Sequence, residues 1–113
     1  MTSREIYSVT AYLSNNLKWD NDYIYCGIGE DFKSDFTCEL LTNFLSGEMW
    51  YFVDGRRDSS RLGWVEIFES IRAILGMRDF MVWNDELDKA VKFCSIGVLF
   101  KGVKTVHVKN ALT

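Results

Sequence analysis

The segment EIYSVTAYL, residues 5–13, alternates in hydropathy, with Tyr7, Val9, Ala11 and Leu13 on one side. Period two in a run of Ile, Tyr, Val and Thr predicts a strand, ended by Ser14, Asn15 and Asn16. DYIYCGI (22–28) alternates again: Ile24, Cys26 and Ile28 oppose Tyr23 and Tyr25, which predicts a second strand with the tyrosines outward. Gly27 and Gly29 then mark a tight turn.

From Ser34 the period changes to that of a helix. Phe36, Leu40, Leu41 and Phe44 form an apolar stripe, Ser34 is placed to cap it, and Gly47 supplies a stop. EMWYFV (48–53) is apolar on both faces, the pattern of a covered strand, and GRRDSS (55–60) reads as a loop. The clearest helical period runs from about Arg61 to Leu75, through Trp64, Ile67, Phe68, Ile71 and Ile74. DFMVW (79–83) predicts another strand.

Asn84 then stands where an N-cap is wanted. Asp85, Glu86 and Asp88 precede Lys89 and Lys92, so a helix with favourable dipole charges and two i,i+4 pairs is predicted. SIGVLF and VKTVHV, flanking Lys101-Gly102, predict a C-terminal hairpin. The sum is one α+β domain over residues 1–113, with a mixed or antiparallel sheet of five to six strands and two to three packed helices.

Length and composition agree with that picture. At 113 residues with 48% hydrophobic and 26% charged content, the chain matches an ordinary globule, one that buries roughly two-thirds of its unfolded surface. No apolar run reaches the ~20 residues of a membrane helix. MTSREIYSV lacks the basic and apolar regions of a secretory signal, so a cytoplasmic location is expected. Cys26, Cys38 and Cys94 cannot all pair within one chain and form no CxxC, which predicts free thiols in a reducing compartment.

Charge changes the picture more. Residues 1–50 carry eight acidic and three basic side chains, against eight and ten in residues 51–113. The acids concentrate in KWDNDYIYCGIGEDFKSDFTCE (18–39), where six carboxylates and five aromatic rings face only two lysines. A nucleic-acid binder needs a dominant basic field. Five lysines close the chain without an acid from Lys89 on, a pattern that solvates a face or protects a strand edge.

Tests for chemistry in the acidic segment fail at named residues. Asp20-x-Asp22 begins like a calcium loop, but Ile24 and Tyr25 stand where a further ligand and the turn glycine are required. Gly27-x-Gly29 lacks the third glycine of a dinucleotide fingerprint and is followed by Glu30 and Asp31, which repel phosphate. The lone His107 has no zinc-ligand spacing to any cysteine. No nucleophile elbow exists, so neither a cofactor nor a metal nor an enzymatic activity is predicted.

Binding remains. Trp50, Trp64 and Trp83 lie on predicted core elements and are assigned to packing, whereas Trp19 lies in a polar stretch. Trp19, Tyr23 and Tyr25 offer rigid contact area at small entropic cost, and Asp20, Asp22, Glu30, Asp31, Asp35 and Glu39 offer steering and register. The competing account is a solvated loop, with Asp35 serving the helix dipole and Glu39 facing water.

This habit, a small α+β domain with an acidic aromatic segment and a strand-to-hairpin run DFMVWNDELDKAVKFCSIGVLFKGV (79–103), resembles the immunity proteins that bacteria encode beside polymorphic or contact-dependent growth inhibition toxins. The resemblance implies that the chain binds and neutralises a cognate protein toxin, a nuclease above all. The acidic residues would then cover a basic active site while Trp19, Tyr23 and Tyr25 fill apolar hollows. The alternative is a small regulatory or structural subunit forming homo-oligomers through an apolar edge or the C-terminal hairpin. Neither a membrane nor a nucleic-acid partner is expected.

Overall fold

The computed structural model describes residues 1–105. In chain order the elements are α1 (Ser3–Ser14), β1 (Leu17–Trp19), β2 (Ile24–Tyr25), a 3-10 turn (Gly29–Asp31), α2 (Ser34–Leu45), β3 (Met49–Val53), β4 (Ser60–Gly63), α3 (Trp64–Ile74), β5 (Phe80–Asn84), β6 (Lys89–Cys94) and β7 (Val98–Lys104). The α+β class holds, with seven strands among the described residues rather than five or six, ordered β1-β7-β6-β5-β3-β4 and with β2 also on β7. Every pairing is antiparallel.

Side-chain alternation along the central strands builds a three-layer molecule. Trp50, Phe52, Phe80, Val82, Val91, Phe93 and Leu99 meet Leu41 and Leu45 of α2 and Ile67 and Ile71 of α3. The opposite sheet face gives Val53, Trp83 and Ala90 to Ile6 of α1, with Tyr7, Leu13, Leu17 and Trp19 around them. The rings of Phe80 and Phe93 stack at 4.8 Å within the first cluster.

Four expectations are corrected. The first segment is helix α1 rather than a strand: Thr2-x-x-Glu5 forms a capping box, with the Thr2 hydroxyl accepting from the Glu5 N–H and the Glu5 carboxylate accepting from the Thr2 N–H. Ile6 and Thr10, one turn apart, are its buried residues, so i,i+4 spacing prevails over the period-two alternation. The Thr10 hydroxyl is satisfied by the Ile6 carbonyl at 2.7 Å.

The predicted helix after Asn84 is a turn and strand β6. Asn84 Oδ1 accepts from the N–H groups of both Asp88 and Lys89 at 3.0 Å, the job of a cap, but here it closes a β5–β6 turn in which Leu87 adopts φ 60°. The expected Asp85–Lys89 and Asp88–Lys92 helical pairs therefore do not form. Asp85 instead takes a bidentate bond from Arg61 at 2.7 and 2.9 Å.

The Lys101-Gly102 hairpin is likewise absent. Both residues lie inside β7, and the turn falls at Gly97, whose N–H bonds the Cys94 carbonyl. Gly102 has another duty: a Cβ there would lie 2.7 Å from the Trp19 ring, so its bare backbone admits the indole. Of the expected strand VKTVHV, Val103 and Lys104 belong to β7, and its second half, with His107, lies outside the described residues. Arg61 to Gly63, read as helix, form β4, and α3 begins at Trp64.

Candidate functional site

The edge of the sheet beside β7 is built from two strands in tandem. Trp19 pairs with Gly102, the Asp20 N–H bonds the Lys101 carbonyl at 2.8 Å, and Ile24 pairs with Leu99. Four residue steps from Asp20 to Ile24 thus oppose two from Lys101 to Leu99, so Asn21, Asp22 and Tyr23 bulge from the edge. Asp20 and Asp22 are exposed on this bulge. Trp19 ends β1 half-buried over Gly102, a correction to its placement in a polar loop.

Register places a row of side chains across the same face. Met81 pairs with Lys92 and Lys92 with Phe100, on the side that α1 covers elsewhere. Because α1 stops at Ser14, no helix of the described residues covers this part of the face. Ser14, Asn15, Trp19, Met81, Lys92 and Phe100 line a hollow of about 360 Å³ there. Tyr23, 63% exposed, meets Phe100 edge-on at 6.4 Å. Tyr25 shares the face through its pairing with Val98, and the Lys33 ammonium lies 5.4 Å from its ring.

Of the nine residues expected to form one surface, the fold gathers Trp19, Asp20, Asp22, Tyr23 and Tyr25. Glu30 and Asp31 occupy the 3-10 turn. The chain reaches it through Gly27, at φ +79°, where a Cβ would meet the Asp31 carbonyl oxygen at 2.2 Å. Asp35 and Glu39 lie on α2, across the sheet from the aromatic face. Phe100, Met81 and Lys92 join the site without having been singled out. Phe100 was readable from the alternation in SIGVLF, whereas Lys92 was hidden by the helix assigned to its segment.

On the helical side, Ser34 does not cap α2: its hydroxyl accepts from the Arg72 guanidinium and ties α2 to α3. The buried stripe of α2 is Thr37, Leu41 and Leu45, and Phe36 is left outside. Trp64, assigned to the core, is 37% exposed at the start of α3. It lines a groove of about 280 Å³ between α2 and α3 with Asp35, Cys38, Val65, Phe68 and Glu69.

Burial pushes the Cys26 thiol up to about 11, and its Sγ donates to the Gly97 carbonyl, so it is a packed thiol rather than a nucleophile. Burial also raises Cys94. All three cysteines are free, Cys26 buried and the others half-buried. The Arg61 hydrogen bond holds the Asp85 carboxyl below its usual range. Among the described residues no cluster of three or more His, Cys, Asp or Glu could hold a metal ion, and no helix is long and apolar enough to cross a membrane. Comparison with known proteins assigns the chain to no family: no family model matches it, and neither a curated protein nor a solved structure gives a significant match.

Proposed function

We propose that this chain is an immunity-type inhibitor that holds a basic protein toxin, a nuclease being the class whose active-site groove best suits it. The observation that carries the reading is the bulged edge: Trp19, Tyr23, Tyr25 and Phe100 share one open face of the sheet, and Asp20 and Asp22 stand on its rim. Aromatic anchors beside an open hollow supply contact area, and rim carboxylates steer and orient a cationic surface. Asp20 and Asp22 would then occupy phosphate-binding positions of the toxin while the rings fill its apolar hollows.

The experiment is a calorimetric titration with the toxin domain encoded by the adjoining gene, across a range of salt. Asp20→Lys with Asp22→Lys weakens binding at least about tenfold and flattens its salt dependence, and Tyr23→Ala weakens it at unchanged salt dependence. Unchanged affinity in both variants sinks the reading, as does the lack of any toxin gene beside this one.

The second reading, assembly of copies through a sheet edge, has the unpaired backbone of β4 in its favour, although its residues, Ser60 to Gly63, are not an apolar run: this four-residue strand ends the sheet with nothing paired outside it among the described residues. Light scattering separates the two, since only this reading gives a homo-oligomer indifferent to the charge reversals.

A further inference from the structure

The groove between α2 and α3 has a chemistry of its own. Val65, 55% exposed, Trp64 and Phe68 give it an apolar lining, and Asp35 and Glu69 line it too. Trp64 and Val65 also line an adjoining hollow of about 300 Å³, bounded by Glu48 and Glu66. The two hollows therefore form one track, apolar along the middle and flanked by four carboxylates. Among the described residues none of these four enters an ion pair, since the salt bridges are Arg61–Asp85 and Arg78–Asp54. The one cation in the track, Arg72, is already engaged with Ser34 and lies over the Phe32 ring.

We infer that this track is a second docking surface, and that its occupant is a basic amphipathic segment of a protein. An apolar side chain of the segment covers Trp64 and Val65, and lysines or arginines on either side meet Asp35 and Glu69 at one end, Glu48 and Glu66 at the other. Charge complementarity selects this occupant. An acidic or nucleic-acid ligand would face four carboxylates against the single guanidinium of Arg72, and a purely apolar one would leave them beside a desolvated surface. The inference rests on the chain being a partner-binding protein but not on the Trp19–Tyr23 face.

The test uses the full chain and a synthetic amphipathic helix of leucine and lysine. Controls are the same peptide with glutamate for lysine, and a scrambled version of the same composition. Nitrogen–proton NMR follows the Trp64 indole and the amides of Val65, Phe68 and Glu69. Binding moves these signals and is selective for the amphipathic basic peptide. Asp35→Lys with Glu69→Lys raises Kd at least about tenfold, whereas Asp20→Lys with Asp22→Lys changes it less than about twofold. Val65→Ser, at an exposed site, gives a second weakening variant whose fold is checked by its unchanged spectrum elsewhere.

Shifts confined to Trp19 and Tyr23, equal binding of the scrambled peptide, no binding at all, or indifference to the Asp35 and Glu69 reversals would each overturn the inference. Failure here with toxin binding intact removes only this track. Loss of the toxin with the peptide still seated removes only the earlier reading.

Discussion

The two faces of the sheet differ in how their polar groups are used. On the α1 side the open surface is aromatic, with Trp19, Tyr23 and Phe100 around Lys92, and its acids stand on an edge bulge. On the other side the helices α2 and α3 leave an apolar groove between carboxylates that form no salt bridge among the described residues. Both surfaces draw on the same acidic stretch of chain, residues 18–39, which passes from the edge at Asp20 through the 3-10 turn to Asp35 and Glu39. Contiguity in sequence thus becomes division in space: a single acidic face is replaced by an aromatic platform and an acidic track.

The sharpest way to break the aromatic side is at Gly102. A Cβ added there meets the Trp19 ring at 2.7 Å, too close for any side chain. The neighbouring atom belongs to a half-buried indole packed in the α1-side cluster, so the ring must move rather than swing freely. Gly102→Val is expected to cost about 2 kcal/mol in urea unfolding, to shift Trp19 fluorescence, and to leave peptide binding at the α2–α3 track intact. Loss of both surfaces together would mean that they are not independent.

Asn84 controls a smaller term in the same comparison, because its turn decides which side of the sheet receives Lys92. With the turn closed, β6 sends Val91 and Phe93 into the α2–α3 core and Ala90 and Lys92 to the α1 side. Asn84 is almost wholly buried, and truncation leaves the N–H groups of Asp88 and Lys89 without their acceptor. Asn84→Ala is expected to lose about 1–2 kcal/mol by thermal or urea unfolding. The amide exchange of Asp88 and Lys89 should rise ahead of that of the rest of β6.

What the sequence made legible follows from how local each signal is. The helices around Leu41 and Ile71, and the covered strands at Trp50 and Val82, were readable because their apolar periods are long, although the helix starts were not: Ser34 does not cap α2, and α3 begins at Trp64. The segments at Glu5–Leu13 and Asn84–Cys94 misled for opposite reasons. The first holds β-branched and aromatic residues at period two but is governed by a two-residue capping box. The second holds helix-favouring charges but is governed by a side chain that satisfies turn and helix N–H groups alike. Tyr23 and Tyr25 could be picked out as outward aromatics, and Trp19 as a ring apart from the main core. Their union with Phe100, and the separation of Asp35 and Glu39, required the pairing of β1 and β2 with a strand some eighty residues away, which no local pattern encodes.

The smallest expected effect concerns the cap that holds α1, and with it the limit of the open aromatic face. Hydrogen bonds from the backbone and side chain of Thr2 hold the Glu5 carboxyl below its ordinary value of 4.5. A carboxyl depressed in the folded state contributes its stabilisation fully above the unfolded value and loses it as pH falls through the folded one. Melting temperature should therefore decline on acidification below about pH 4.5, with a component from this box that Glu5→Gln removes. Thr2→Ala, which deletes the hydroxyl acceptor, is expected to cost about 1 kcal/mol near neutrality. Fraying starts at the capped end, where the Ser3 hydroxyl donates to the Arg56 carbonyl and accepts from the Ser59 N–H, so exchange of the Ser59 amide should rise while that of the Trp64 indole N–H stays unchanged. Equal changes at Ser59 and Trp64 would show that α1 stabilises the whole sheet rather than one face.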